Sequence, residues 1–271
     1  MDLEYRDCFL RNIGLFTEAQ QERLRAAKVV VAGVGGVGGI EAATLAKMGI
    51  GELVIFDPGV FDAPDMNRQF GALASNIGRN KAEATAGLLR EINPFLKVTA
   101  LNHAPATDEG LDGLLRGAAV AIDAIDYLGF DYKARFAQAV RRAGLFNFTA
   151  PISGVGTAMI VLDPEGMTLE ELYEAPADSA EWVAHRLPLE RLLGPERFGG
   201  LVEDMREGRR EYLSNCAGIA TLNGGLVATE IALWITGLRK REELVCAPQA
   251  VYVDLLRRVM EVYTMKAEAS A

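Results

Sequence analysis

Downstream of a glycine-rich turn, the chain carries two cations, Arg68 and Lys81, and two carboxylates, Asp123 and Asp126, residue types suited to handling a phosphorylated nucleotide. The turn itself, VVVAGVGGVGG, holds Gly33, Gly35, Gly36 and Gly38. Glycines let the backbone pass close to phosphates, and a helix beginning there points unpaired N–H groups at them. Asp57 lies 19 residues beyond Gly38, at the end of the apolar run LVIF, where a carboxylate can reach a ribose hydroxyl. Arg68 and Lys81 fall in PGVFDAPDMNRQFGALASNIGRNK, a segment leaving the C-terminal end of that strand. Such segments wall the ligand crevice of doubly wound sheets, so their cations are expected to face phosphate. Asp123 and Asp126 follow the strand AAVAID. Asp126 suits Mg²⁺ or a ribose, and equally the N-cap of the next helix.

The elements that must position these residues are legible from period and punctuation. Val29 to Val31 form a short buried strand, IEAATLAKM continues as a helix, and Leu53 to Phe56 form a second strand. Residues 1–27 read as N-terminal helices, with Thr17 and Gln20 spaced for a capping box. Lys81 opens the helix KAEATAGLLREI, which stops at Asn93-Pro94, and Leu96 to Leu101 form the next strand. A helix at 108–115, the strand ending at Asp123, a helix over 130–143 and the strand LFNFTA complete a nucleotide-binding half at 28–150. The glycine turn PISGVGTA leads into TAMIVLD without an intervening helix, so this strand is expected to add antiparallel to the sheet. In the remaining half, 151–271, a charged insertion at 163–213 has few strand signals, and its Met167, Leu169, Leu172, Tyr173 and Trp182 suggest a satellite core. A long apolar helix follows and ends at Gly237, with the basic run LRKREE expected to complement its dipole, and QAVYVDLL with RRVMEVYTM read as a terminal strand pair. The fold class is α/β: a Rossmann-like, mostly parallel sheet flanked by helices, with antiparallel strands in the C-terminal half, in one domain over 1–271.

Composition narrows the partners. Half of the 271 residues are apolar, and the net charge is −9 with a pI near 4.9, which argues against nucleic-acid binding. Cys8, Cys216 and Cys246 are widely spaced, so neither a disulfide framework nor a cysteine-rich zinc site is indicated and a cytoplasmic location fits. No signal peptide and no membrane span are read. His103 and His185 have no evident partners and are read as structural or surface residues. Cys216, at the start of the last helix, is read as a buried helix residue in preference to a nucleophile.

The ordered series RN(x)8QERL, VVVAGVGGVGG, a strand ending in Asp57, NRQ at Asn67 to Gln69, GRNK ending at Lys81, INP, and DAID ending at Asp126 resembles a known family. It is similar to the ATP-dependent activating enzymes that include ThiF, MoeB, HesA and the adenylation domains of ubiquitin-activating enzymes, over about Arg11 to Gly237. The resemblance implies that the glycine loop and Asp57 hold ATP, that Arg68 and Lys81 neutralise its triphosphate, that Asp126 positions Mg²⁺, and that Gln69 helps orient the nucleotide loop. It also implies that Arg11 reaches across a homodimer into the neighbour's site. The implied reaction is attack of a carboxylate on the α-phosphorus of ATP, giving an acyl adenylate and pyrophosphate. The implied substrate is the C-terminus of a small ubiquitin-fold sulfur carrier, or of a peptide.

Two positions depart from that pattern. Gly59 stands where the family often has a second aspartate, and Asp65 stands where it has asparagine, beside the phosphate region. They motivate an alternative expectation, a non-catalytic relative that binds a nucleotide or a partner. An NAD(P)-dependent oxidoreductase accounts for the glycine loop and Asp57 but leaves NRQ, GRNK and DAID unexplained.

Overall fold

The computed structural model describes residues 3–126, 129–185, 204 and 207–265. The helices expected in the later part of the insertion, and the tail AEASA, lie largely outside the described residues. Strands β1 (Lys28–Ala32), β2 (Glu52–Phe56), β3 (Lys97–Leu101), β4 (Val120–Asp123) and β5 (Asn147–Thr149) are parallel, in the order β3-β2-β1-β4-β5. Strands β7 (Gly156–Leu162), β8 (Gln249–Asp254) and β9 (Val259–Thr264) continue the sheet antiparallel, as expected from the missing crossover helix. The expected glycine turn also contains a short strand: β6, Ile152–Ser153, pairs with Thr157 and Gly156.

The helices are α1 (Tyr5–Cys8), α2 (Glu18–Ala26), α3 (Gly38–Met48), α4 (Lys81–Ile92), α5 (Asp108–Leu115), α6 (Phe130–Arg142), α7 (Leu169–Leu172) and α8 (Ala217–Thr236). Strand β1 is buried on both faces, the usual state of a central parallel strand. Val29 and Val31 pack toward α3, α4 and α8, while Val30 and Ala32 pack toward α5 and α6. Each such valine contributes roughly 1.5–3 kcal/mol by burial. The satellite core forms as expected, with Leu169, Leu172 and Tyr173 against Phe130 and Tyr252, and Met167 and Trp182 at its margin.

The capping box at Thr17 and Gln20 is present, and Asn80 caps α4 by accepting from the Glu83 amide at 3.0 Å. The end of α8 differs from expectation. Its Thr236 carbonyl is capped by Arg23 of α2 at 3.0 Å, while Arg239 of the basic run pairs with Glu230 at 2.6 Å. A cation from another element meets that carbonyl more directly than the chain that has just turned away at Gly237. By length and composition α8 could cross a membrane, but here it packs on α2, α3 and β7, with Gly224 against Ile40.

Candidate nucleotide site

Strand order reverses between β1 and β4, so their C-terminal ends open a crevice, the place where doubly wound sheets bind ligands. The loop after β1 lies against the chain after β4. A Cβ on Gly33 would come 2.6 Å from the Ala124 carbonyl oxygen, and Gly33 has φ +89°, a conformation that side-chain-bearing residues rarely adopt. A Cβ on Gly38 would come 2.0 Å from the Gly33 carbonyl oxygen and 2.8 Å from Ala124 Cβ. These two glycines close the turn; Gly35 and Gly36 face the ligand side. A Cβ on Gly35 would meet Gln69 Oε1 at 3.5 Å, and one on Gly36 would meet Arg68 Nε at 3.4 Å. The NRQ segment therefore lies directly over the glycine loop. A phosphate fits where a cradle of backbone is walled by a guanidinium and an amide.

Asp57 ties the loop down. Its Oδ2 accepts from the Val34 amide at 2.9 Å and its Oδ1 accepts from the Gly59 amide at 2.8 Å. Each oxygen keeps a second lone pair, so a ribose hydroxyl can still be bound. Lys81 and Gln69 converge on Asp65, which departs from the family pattern. Asp65 Oδ2 lies 3.1 Å from Lys81 Nζ, and its Oδ1 accepts a hydrogen bond from Gln69 Nε2. Asp65 is 8% exposed, so its negative charge is neutralised by Lys81 and not by water. Arg68 donates to Asn67 Oδ1 at 2.9 Å and forms no ion pair among the described residues, which leaves its charge available to an anion.

Asp126 is exposed on the chain leaving β4. The N-cap position of α6 is Gly129, so the capping alternative for Asp126 does not hold. Among the described residues no group of three metal-ligating side chains gathers. An exposed carboxylate such as Asp126 is of the ligand type that Mg²⁺ takes.

Arg11 is not brought to this crevice. It sits exposed in a 3₁₀ turn, Leu10–Asn12, whose Asn12 donates to the Met48 carbonyl at the C-terminal end of α3. The glycine loop is at the other end of that 11-residue helix, ~16 Å away at about 1.5 Å per residue.

Cys216 differs from its expected burial. It is exposed at the N-cap of α8, not buried within the helix, because the preceding strap is drawn toward the crevice: Asn67 donates to the Asn215 carbonyl at 3.0 Å, and Gly154 to that of Ser214. His185 has neighbours the sequence did not reveal, the Phe130 ring at 4.7 Å and the Tyr173 carbonyl at 3.1 Å; His103 stays at the surface beside Asn102.

Beneath the crevice is a charged cluster that sequence reasoning missed. Lys133 of α6 pairs with Asp123 at 2.9 Å and also donates to Thr149 Oγ1 at 3.3 Å, and both ionic side chains are buried. Glu41, in the first turn of α3, is 1% exposed, and neither of its carboxyl oxygens has a hydrogen-bond partner among the described residues. Burial, and secondarily the Asp123 charge, push the Glu41 carboxyl up to about 8. At neutral pH Glu41 is therefore mostly protonated, while burial also pushes the Asp123 carboxyl up and Lys133 pulls it back down. The available signal was the apolar face of α6, where Lys133 falls among Phe130, Ala134 and Ala137.

The fold and the crevice define a doubly wound α/β protein of the nucleotide-binding class. The ThiF family pattern matches residues 9–269, and the chain belongs to that family. Protein HesA from a Nostoc species is 37% identical over 108 residues, covering 40% of this chain and 42% of that protein. The tRNA threonylcarbamoyladenosine dehydratase of Escherichia coli is 34% identical over 122 residues, covering 45% and 46%. Ubiquitin-like modifier-activating enzyme 5 of Aedes aegypti is 39% identical over 106 residues, covering 39% and 26%. The chain thus spans less than half the length of these curated relatives. Among solved structures, PaaA superposes with a TM-score of 0.73 at 18% identity, covering 98% of this chain and 75% of that one. E. coli MccB with ATP superposes at 0.72 and 16%, covering 100% and 75%, and these likenesses establish the fold.

Proposed function

We propose that this protein adenylates a carboxylate at the expense of ATP. The observation that carries the reading is the convergence of the glycine loop, Arg68, Gln69 and the Asp65-bound Lys81 on one crevice at the strand C-termini. The step is attack of a carboxylate oxygen on the α-phosphorus, forming the acyl–phosphate bond while the α–β phosphoanhydride bond breaks and pyrophosphate leaves. The attacking carboxylate is already anionic, so no protein nucleophile or base is required. Catalysis reduces to holding the reactants in line and spreading charge. Arg68 and Lys81 supply cations, the glycine-loop amides supply donors, and Asp57 fixes the loop. Asp126 would hold Mg²⁺, which supplies further charge neutralisation when bound.

The substrate class follows from relatives. One is named a ubiquitin-like modifier-activating enzyme and another a SAMP-activating enzyme, while MccB has been crystallised with MccA. We take the substrate here to be the C-terminal carboxylate of a ubiquitin-fold carrier or of a peptide. Arg11, too far from its own crevice to serve it, would act in the site of a second copy, which makes the working unit a homodimer.

The test is ATP–pyrophosphate exchange with Mg²⁺ and a panel of peptide and carrier-protein carboxylates. Exchange that requires the carboxylate and is lost in Arg68→Ala supports the reading. Absence of exchange with every partner, with ATP binding unchanged in Arg68→Ala, refutes it. The pairing of Lys81 with Asp65 favours one competing reading, a non-catalytic relative. That reading predicts tight binding of a partner protein with no exchange.

A further inference from the structure

The Asp123–Lys133 pair grips one residue of the crevice wall, Ile125, by the two peptide groups that flank it. Asp123 Oδ1 accepts from the Ile125 amide at 3.1 Å, and Lys133 Nζ donates to the Ile125 carbonyl at 3.4 Å. The two side chains are joined to each other at 2.9 Å, and both are at least 95% buried. Ala124, immediately before the gripped residue, is the surface on which the glycine loop rests, with Gly33 and Gly38 too close to it to carry a Cβ. Asp126 follows immediately after. One buried ion pair thereby fixes the floor of the glycine loop and the origin of the exposed carboxylate.

We infer that Asp123 and Lys133 are positioning residues for nucleotide binding, acting through the backbone on either side of Ile125 on the glycine loop and on Asp126. Stability alone is a poor reason to bury these charges. Taking two ions out of water costs several kcal/mol each, and apolar replacement of a buried pair is often neutral or stabilising. What an apolar pair cannot do is donate to the Ile125 carbonyl and accept from its amide at once. Thr149 on β5 gives Lys133 a further acceptor, which anchors the ammonium to the sheet.

This inference rests on the nucleotide reading for its consequence but not for its geometry, and the test separates the two. The single variant Lys133→Met strands a buried carboxylate and is expected to lose stability. In the double variant Asp123→Leu/Lys133→Met the charges go together, and denaturant unfolding should show most of that loss recovered. Two other readouts should not recover. Exchange of the Ile125 amide hydrogen, followed by NMR without nucleotide, should run at least ten-fold faster than in the wild type. The dissociation constant for Mg–ATP, measured by calorimetry, should rise at least ten-fold. Unchanged Ile125 exchange, or faster exchange with unchanged Mg–ATP affinity, would overturn the inference. Should the wild type bind no Mg–ATP, the nucleotide reading fails, and the exchange measurement alone decides whether the clamp exists. If the double variant does not fold, Asp123→Asn preserves shape and the Ile125 acceptor while weakening the grip on Lys133. Several-fold faster Ile125 exchange in that variant supports the clamp, and wild-type exchange refutes it.

Discussion

Lys81 Nζ lies 3.1 Å from Asp65 Oδ2, so the cation expected to meet the triphosphate is already engaged by a carboxylate of its own chain. An incoming phosphate must share the ammonium with Asp65 and sit close to its charge. At an effective dielectric of about 20, two like charges 7 Å apart repel by roughly 2 kcal/mol. Asp65→Asn keeps the shape and the hydrogen bond to Gln69 while removing that repulsion. The dissociation constant for Mg–ATP should fall on the order of tenfold, and the salt dependence of binding should change with it. Weaker binding in Asp65→Asn would mean that the carboxylate serves to aim Lys81.

Arg68 carries the free charge of the site. Its neighbours are carbonyl oxygens at Pro64 and Asn67, none of them ionised, and its side chain is not packed in the core. Arg68→Ala should therefore leave the melting temperature within about a degree while weakening ATP binding by about 1.5–3 kcal/mol, the range for a hydrogen bond to a charged group. A melting shift of several degrees would assign Arg68 to the fold.

The glycines separate into two kinds, and alanine substitution distinguishes them. At Gly38 a Cβ meets backbone at 2.0 Å, which cannot be relieved by a rotamer change. Gly38→Ala should cost about 3 kcal/mol or more in unfolding free energy. At Gly35 the nearest atom is the end of a flexible side chain, Gln69 Oε1 at 3.5 Å, an ordinary contact. Gly35→Ala should fold as well as the wild type and lose nucleotide affinity, because the methyl group occupies the phosphate's approach. Both are read by denaturant titration and calorimetry.

Glu41 should make stability depend on pH in an unusual direction. Its carboxyl titrates near 8 in the folded chain, against 4.5 as an ordinary glutamate. Between those values the folded protein holds a proton that the unfolded chain has released. Stability from this group is therefore present in full below about 4.5 and lost as pH rises toward 8, at up to about 1.4 kcal/mol per pH unit. Glu41→Gln imitates the protonated form and should flatten that decline. Melting curves at pH 5 and pH 8 measure it; parallel declines in the two proteins would show that Glu41 is ionised in the folded state.

The parts of this site visible in the sequence are those fixed by neighbours along the chain. The strand–glycine–helix unit, the cap at Thr17, and the stop at Asn93 depend on residues within a few positions of one another. The antiparallel addition of β7 was also legible, since the connection from β5 is too short for a crossover. What stayed hidden depends on partners brought together by the fold. Lys133 falls on the apolar face of α6, but its pairing with Asp123 exists only in the fold, and Asp65 reads as an intrusion until Lys81 is found beside it. Cys216 looked buried because the helix it begins is apolar; the strap held by Asn67 turns it outward.

Arg11 gives the last test, and its position makes the outcome sharp. It is exposed, makes no hydrogen bond or ion pair among the described residues, and sits by the end of α3 remote from the glycine loop. Within one chain it can contribute nothing to the crevice, whereas in a homodimer it can enter a neighbour's. An Arg11→Ala subunit keeps an intact crevice and offers no arginine; an Arg68→Ala subunit offers the arginine and has a damaged crevice. Mixing the two inactive proteins creates heterodimers in which one of two sites is complete. At equal concentrations with random exchange, about half the dimers are mixed, so activity should return to roughly a quarter of the wild-type value per site. Recovery must also fail when the two substitutions are placed in the same chain. No recovery despite demonstrated subunit exchange would remove Arg11 from the neighbour's site.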